Sequence, residues 1–335
     1  MKEIKLSQAL AKACRAPIFS DALLTFIKEN NLWNIWVPKS HGGLELSFGE
    51  GLKALQNIAK ADGTLGWTVT LCSGANYFIG NLQPETASII FDGNAILGGS
   101  GGLFGTAEKQ GDTYLLNGFW RYATGANYLT HFTLNAKIIE DGVELTNEDG
   151  SPQFLSFIIP AEAVEIVEDW NTMGLQASVT HSFKVENYKL HERFSFVYNR
   201  FYFPQDVFKV HWSLFADMTL WVNYIGMAEH FLEEAEKVVE QKLINTLQLA
   251  LEDINKQVEV YTESIENIIR NNKQFDELFV KEVHQKAAEA VRKISAEMIQ
   301  LFPMLGVKAS REDHPLNHIF KDYFTATQHH IFSRK

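Results

Sequence analysis

The sequence has few of the features that mark secreted, metal-binding or membrane proteins. Its two cysteines, Cys14 and Cys72, are too few for a disulfide framework or a cysteine-based zinc cluster. No apolar run reaches the length of a membrane span, because Asp217 and Asn223 interrupt the richest candidate. The N-terminal segment lacks the uninterrupted apolar core of a signal peptide. These absences predict a cytoplasmic protein with no membrane span and no metal site.

Clustered positive charge is also missing. Lys and Arg number 30 against 41 Asp and Glu, which gives a formal net charge of -11. Because phosphate backbones are bound by clustered Lys and Arg, nucleic acid is not an expected partner. The hydrophobic fraction of 46% over 335 residues instead predicts a packed globular protein of about two domains.

The period of the apolar residues divides the chain into three segments. Residues 1–94 have helical spacing, with Ser47 and Glu50 at the positions of a capping box. Residues 95–200 contain short stretches of alternating apolar and polar residues, separated by turn residues and with no long helix between them. Residues 201–335 return to helical spacing, with an apolar seam typical of bundled helices. The pattern predicts an α+β protein with a middle antiparallel β-barrel or sandwich.

A cluster of glycines opens the middle segment, between Leu97 and Asp112. It does not match a dinucleotide-binding fingerprint, because Phe104 stands where the third glycine would be and because strands rather than a helix follow. Two interpretations stay open. One is a flexible glycine turn between domains, which the spacing favours, and the other is a backbone that lies close to a flat ligand.

A more specific pattern follows at Asn117–Ala126. Bulky aromatic residues lead to a small hydroxyl residue and a glycine, Thr124 and Gly125. Such a strand suits a planar ring, because an aromatic side chain covers one face while the hydroxyl and nearby N–H groups reach the polar ring edge. A β-hairpin with aromatic core residues is the alternative.

The order of the segments and several local patterns resemble the acyl-CoA dehydrogenase superfamily over nearly the whole chain. The patterns are the loop WVPKSHGGLELSFGE, the helix end KADGTLGW, the strand Asn117–Gly125 and the turn Trp170–Ser178. The resemblance implies an N-terminal α-helical domain over 1–94, a β-domain over 95–200 and a C-terminal four-helix bundle over 201–335.

The same resemblance implies a flavin cofactor, either FAD or FMN. In the family, an aromatic residue and a hydroxyl of this strand border the flavin ring. Tyr122 is therefore expected to flank the ring and Thr124 to hydrogen-bond to it. The full set of expected cofactor-binding residues is Ser100, Trp120, Tyr122, Ala123, Thr124, Gly125 and Ser178.

Within the superfamily, the chain most resembles the flavin-dependent monooxygenase branch. Trp120 with Ala123–Gly125, the segment Asp62–Trp67 and the segment Phe320–His329 carry this similarity. It implies an enzyme that takes reduced flavin from a separate flavin reductase and oxygenates a small organic substrate. It also nominates His329 as a catalytic residue near the reactive edge of the flavin. A solvated helix end is the alternative for this histidine.

Two departures from the family pattern leave other functions open. The glutamate that acyl-CoA dehydrogenases use as a base is not recognisable, and the nearest acid is Asp217. The arginine-bearing segment that holds the adenylate half of the flavin is replaced by AEKVVEQKL after Glu229. The alternatives are an acyl-CoA dehydrogenase proper, with Asp217 or an unrecognised carboxylate as catalytic base, and a non-catalytic binding or assembly module. The bundle seam and the resemblance also predict a homo-oligomer, a dimer or tetramer.

Overall fold

Five helices form the N-terminal part of the computed structural model, which describes residues 6–333. They are α1 (Gln8–Ala13), α2 (Asp21–Glu29), α3 (Phe48–Ala61), α4 (Gly63–Asn76) and α5 (Pro84–Ile90). The side chains of Ser47 and Glu50 each accept from the backbone N–H of the other residue, so the predicted capping box is confirmed. α4 is buried on nearly every side, which places it at the centre of the molecule.

The middle part is one eight-stranded sheet. Its strands are β1 (Leu97–Gln110), β2 (Thr113–Ala123), β3 (His131–Glu140), β4 (Val143–Glu144), β5 (Phe154–Pro160), β6 (Glu165–Val167), β7 (His181–His191) and β8 (Ser195–Phe196). Their order is β6-β7-β2-β1-β3-β5-β8, and β4 pairs with β3. Neighbouring strands are antiparallel except β1 and β3, which run parallel because β3 returns along the other edge of β1 after the β1–β2 hairpin.

The glycine cluster lies within strand β1, so its interpretation as a flexible turn is wrong. Glycine is required there by packing. A Cβ at Gly105 would overlap the ring of Trp120, and one at Gly99 would overlap the carbonyl of Thr133. The pairing of β1 with β3 becomes irregular just after Ser100, as is common where glycine interrupts a strand.

Five helices follow the sheet. They are α6 (Trp212–Ala235), α7 (Gln241–Arg270), α8 (Glu277–Leu301), α9 (Pro315–Ala326) and α10 (His330–Ser333). α6 packs against α7, α8 and α9 as well as against α3 and α4, so it is the buried axis of the bundle. The predicted apolar seam is confirmed on α7, where Leu247, Leu251 and Ile254 are buried. Residues 327–329 separate α9 from α10.

The predicted α+β class, with helices before and after a central sheet, is confirmed. The domain boundaries at residues 94 and 200 stay a prediction, because one hydrophobic core cluster runs through the helices and the sheet. Within residues 6–333, no helix is both long and apolar enough to cross a membrane. In that same part of the chain, no three His, Cys, Asp or Glu side chains gather in a way that would hold a metal ion.

Candidate functional site

A strand irregularity shapes the C-terminal end of β2. The register between β2 and β7 shifts between Trp120 and Ala123, and Ser100 on β1 donates a 2.5 Å hydrogen bond to the carbonyl of Arg121. The bulge exposes two successive residues, Arg121 and Tyr122, where a regular strand would alternate. Bulges re-aim side chains next to functional sites, and this one presents Tyr122 with 48% of its surface exposed.

The exposed ring of Tyr122 borders an open surface. It meets the ring of Trp170 edge-on, with centroids 5.8 Å apart, and Trp170 Nε1 donates to the carbonyl of Leu175 over 2.9 Å. On the neighbouring strand, a Cβ at Gly101 would find its nearest contact 4.0 Å away. This end of the sheet therefore offers an exposed aromatic side chain on β2 and unobstructed backbone on β1, which a flat ligand can approach closely.

Three hydroxyl groups form a buried chain behind Tyr122. The Oγ atoms of Ser178 and Thr180 are 2.7 Å apart, and Thr180 donates to Thr124 over 3.2 Å. Ser178 Oγ also lies 2.7 Å from the carbonyl oxygen of Leu175, so the one hydroxyl proton of Ser178 goes either to that carbonyl or to Thr180. When Ser178 donates to Thr180 and Thr180 to Thr124, Thr124 donates to no protein acceptor within residues 6–333, and its hydroxyl proton is then available to a ligand.

The backbone after β2 is held by the segment 174–180, which we call the 174–180 turn. Gly125 has a φ of 81°, a left-handed conformation that glycine adopts at low cost. Its N–H donates to the carbonyl of Ser178 over 2.7 Å, and the N–H of Ala126 donates to the carbonyl of Val179 over 3.3 Å. The position of Thr124 therefore depends on the position of this turn.

The structure brings most of the predicted cofactor-binding residues together at this end of β2. The residues joined by the contacts above are Ser100, Tyr122, Ala123, Thr124, Gly125 and Ser178. Trp120 differs, because its side chain is fully buried, stacks on Phe183 with centroids 5.5 Å apart and donates through Nε1 to the carbonyl of Asn135. Its side chain supports the strand and presents no face to a ligand.

His329 lies against α4, with its ring 5.6 Å from that of Trp67 and 4.6 Å from that of His330. Burial lowers the pKa of His329 to about 4, and the charge of His330 acts in the same direction. The imidazole is therefore neutral at pH 7 and is able both to donate and to accept a hydrogen bond. The residue is half-buried and its ring packs against Trp67, and its catalytic role stays a prediction.

Acid is expected to destabilise the protein through His329. The pKa of His329 is 6.5 in the unfolded chain and about 4 in the folded protein. The unfolded chain therefore binds more protons between these values, and the free energy of unfolding falls as the pH drops through that window. Between pH 7.5 and pH 5 this loss should be about 2 kcal/mol smaller in His329→Gln than in the wild type. Urea unfolding at the two pH values measures the difference, and an identical pH dependence of the two proteins would contradict it.

Asp217 lies inside the bundle, between α6 and α8. Its Oδ1 is 2.9 Å from Nδ1 of His284, whose side chain is 44% exposed and whose ring lies 5.8 Å from that of Phe332. Burial raises the pKa of Asp217 to about 6, and the hydrogen bond with His284 opposes that shift. Within the described residues, no hydrogen bond joins Asp217 to the hydroxyl chain at Thr124. Its role as a catalytic base therefore stays a prediction.

The sequence did not single out Asp322 as a site residue, although it lies in a segment that carries the family resemblance. On α9, its Oδ1 accepts from the N–H of Leu175 over 2.6 Å and its Oδ2 from the hydroxyl of Thr64 over 3.0 Å. Burial and the nearby charge of Asp62 raise the pKa of Asp322. Thr180 was missed as well, because the spacing of residues does not reveal which hydroxyl groups meet across a turn.

The end of β2 fits a flavin ring, which is flat and carries hydrogen-bonding atoms along its polar edge. Tyr122 supplies an aromatic side, the backbone at Gly101 allows close approach, and Thr124 supplies a hydroxyl group at the end of the buried chain. These groups match the chemistry that such a ring needs from the protein.

Comparison with known proteins defines the structural class. Residues 230–334 match the family described as Acyl-CoA dehydrogenase, C-terminal domain. The structure of XiaF from Streptomyces sp. in complex with FADH2 and glycerol matches with a TM-score of 0.85, covering 96% of this chain and 87% of that chain at 18% identity. The chain has the acyl-CoA dehydrogenase-like fold, and the resemblance inferred from its sequence is confirmed.

Curated relatives indicate the branch within that class. Indole-3-acetate monooxygenase from Acinetobacter baumannii is 27% identical over 229 residues, which are 67% of this chain and 56% of that protein. The flavin-dependent monooxygenase oxygenase subunit HsaA from Rhodococcus jostii is 22% identical over 169 residues, 50% of this chain and 42% of that protein. The chain spans about half the length of these relatives. Both are monooxygenases, in agreement with the branch predicted from the sequence.

Proposed function

We propose that the protein is the oxygenase component of a reduced-flavin-dependent monooxygenase that acts on a small organic substrate. The observation that carries the proposal is the end of β2, where a bulge exposes Tyr122 beside a buried chain of hydroxyl groups that ends at Thr124. The monooxygenase relatives support the reaction type. The FADH2 in XiaF supports reduced FAD, with reduced FMN as the alternative cofactor.

Each residue of the site has a distinct task in this proposal. Bound reduced flavin would supply the activation of oxygen. Thr124 donates to the polar edge of the ring, with its own position fixed by Thr180, and Tyr122 flanks the ring with the support of Trp170. The neutral imidazole of His329 is suited to hydrogen-bond a substrate or to move a proton without carrying charge into a buried site.

We propose in addition that a separate flavin reductase serves this protein and that both work in the cytoplasm. The name of HsaA describes an oxygenase subunit, which supports a separate flavin reductase as the source of reduced flavin for this protein. We place the enzyme in the cytoplasm, where its two unpaired cysteines stay reduced. Mixing the protein with a flavin reductase, NADH and candidate substrates should then give an oxygenated product only when both proteins are present.

An anaerobic titration with oxidised and dithionite-reduced FAD and FMN tests the proposed function. Reduced flavin should bind more tightly than oxidised flavin, and a ligand at a hundred times its Kd should add about 2.7 kcal/mol to the free energy of unfolding. Tight binding of oxidised FAD, together with bleaching of the flavin by an acyl-CoA, would instead support a dehydrogenase. Binding of no flavin in either redox state would support a non-catalytic module.

Thr124→Val is expected to weaken the binding of reduced flavin about tenfold, because a buried methyl group replaces the hydroxyl donor at nearly constant volume. The variant Thr124→Ser, which keeps the hydroxyl, should bind nearly as well as the wild type. Thr113→Val is the matched control, since Thr113 begins β2, at the end far from Thr124, and its hydroxyl donates to the nearby carbonyl of Gln110. Equal affinities for Thr124→Val and the control would contradict the role of Thr124.

We also propose that the protein is a homo-oligomer, a dimer or tetramer. Large apolar side chains stay exposed on α7 and α8, including Leu249 at 64%, Val260 at 60% and Leu278 at 73%. Such side chains are costly to leave in water when they cluster on an outer surface. Light scattering measures the molar mass, and a monomeric mass would refute the proposal.

A further inference from the structure

The carboxylate of Asp322 connects three segments that are far apart in sequence. It accepts from the N–H of Leu175 in the 174–180 turn and from the hydroxyl of Thr64 on α4, over 2.6 and 3.0 Å. The turn lies close to α9 at this point, because a Cβ at Gly174 would overlap the backbone of Lys321. Hydrogen bonds to a carboxylate are among the strong ones in proteins, and this carboxylate is partly buried. The helix therefore fixes one end of the turn.

The other end of the turn determines where Thr124 lies. Leu175 and Val179 have φ values of 54° and 38°, in the left-handed region that non-glycine residues rarely adopt. A backbone of this kind persists only where its surroundings hold it. Between these two residues, Ser178 donates to the carbonyl of Leu175 and approaches Thr180, which in turn bonds to Thr124.

We propose that Asp322 is a positioning residue for the end of β2: by holding the N–H of Leu175, it keeps the 174–180 turn where Ser178 and Thr180 orient the hydroxyl of Thr124. The inference rests on the proposed flavin site, and it assigns to α9 the control of the hydroxyl group of Thr124, directly after β2. Asp322 touches neither the flavin nor the substrate in this role.

Hydrogen exchange of the chain without flavin tests the positioning directly. In Asp322→Ala, the amides of Gly125 and Ala126, which bond to Ser178 and Val179, should exchange about tenfold faster or more, because the turn that accepts their bonds is released. Asp322→Asn should restore slow exchange, since its amide oxygen accepts from Leu175 and its NH2 group donates to Thr64. Amides of α7 should not change.

The matched control is Glu229→Gln. Glu229 is also a partly buried carboxylate with two side-chain partners, Gln56 and Asn255, and burial raises its pKa as well, but it lies on α6 away from the turn. The substitution Glu229→Gln removes the charge and should leave the hydrogen exchange of the amides of Gly125 and Ala126 unchanged. Faster exchange in this control, or an equal rise throughout α7 in Asp322→Ala, would show a general loss of stability and overturn the inference.

A thermodynamic cycle on flavin affinity gives a second readout. Asp322→Ala and Thr180→Val should each weaken the binding of reduced flavin. The affinity of the double variant should be about that of the single variant that binds more weakly, because both substitutions interrupt one chain of contacts. A double variant whose fold-loss of affinity equals the product of the two single losses would overturn the inference. If Asp322→Ala does not fold, Thr64→Val replaces it, since it removes one of the two bonds and should give a smaller loss that is again non-additive with Thr180→Val.

Failure of the inference is distinguishable from failure of the proposed function. A wild-type protein that binds no reduced flavin would refute the proposed function, while the exchange of Gly125 and Ala126 would still report whether Asp322 holds the turn. A wild type that binds reduced flavin, with unchanged exchange and unchanged affinity in Asp322→Ala, would refute the positioning role alone.

Discussion

Trp120→Ala is expected to lower the free energy of unfolding by about 3–5 kcal/mol. Trp120 is among the largest fully buried side chains, and its ring stacks on Phe183 with an interplanar angle of 12°. Truncation would open a cavity between β2 and its neighbours. It would also leave the carbonyl of Asn135 without the donor that Nε1 supplies over 2.9 Å, which adds the cost of an unsatisfied buried acceptor.

The matched control for this prediction is Tyr122→Ala, two residues further along the same strand. Tyr122 is 48% exposed, so its removal should change the free energy of unfolding by less than about 1 kcal/mol. It should nevertheless weaken the binding of reduced flavin, because an aromatic side of the proposed site is lost. Urea unfolding and flavin titration of both variants separate the two roles. Equal losses of stability in the two variants would contradict the assignment of Trp120 to the core and Tyr122 to the site.

The same pair of residues shows where the sequence was informative and where it was not. Alternation along a strand puts residues 120 and 122 on one face, and both were expected to border the flavin. The bulge separates them, and it arises from the shifted pairing of β2 with β7 beyond Trp120. Register across a sheet depends on strands that are distant in sequence, so a local pattern does not report such a shift.

Features that depend on neighbouring residues were predictable. The capping box of Ser47 and Glu50 and the seam on α7 follow from spacings of three and four residues within one helix. The strand at the glycine cluster was missed because its glycines fit against Trp120 and Thr133, which only the folded sheet brings close. The order of the segments identified the fold together with the local patterns that resemble the acyl-CoA dehydrogenase superfamily, since helical and strand segments differ in the period of their apolar residues.

The contacts that complete the candidate site are long-range. Leu175 and Asp322, joined by a 2.6 Å hydrogen bond, are 147 residues apart, and Thr124 and Thr180 are 56 residues apart. Thr124, Leu175 and Asp322 lie in segments that the sequence marks as notable, but the period of the residues does not show which side chains face each other. The chemistry of the site was therefore predictable by residue type at Tyr122 and Thr124, while its support was not.

Gly174→Val is expected to lower the free energy of unfolding by about 3 kcal/mol and to abolish tight binding of reduced flavin. A Cβ at this position would overlap the carbonyl group of Lys321 and come within 2.5 Å of the backbone nitrogen of Asp322. These atoms belong to α9, so no side-chain rotation relieves the overlap and the turn must move away from the helix. That movement takes the N–H of Leu175 from Asp322 and removes the support of Thr124.

Gly74→Ala is the matched control for this substitution. Gly74 lies within α4, where a Cβ would find its nearest neighbour, the ring of Phe215, 3.9 Å away. Alanine also favours a helix over glycine by about 1 kcal/mol, so this variant should be as stable as the wild type or slightly more stable and should bind flavin normally. Urea unfolding and titration with reduced flavin measure both properties. If Gly174→Val unfolds like the wild type and still binds flavin, the close packing of the 174–180 turn on α9 does not control the site.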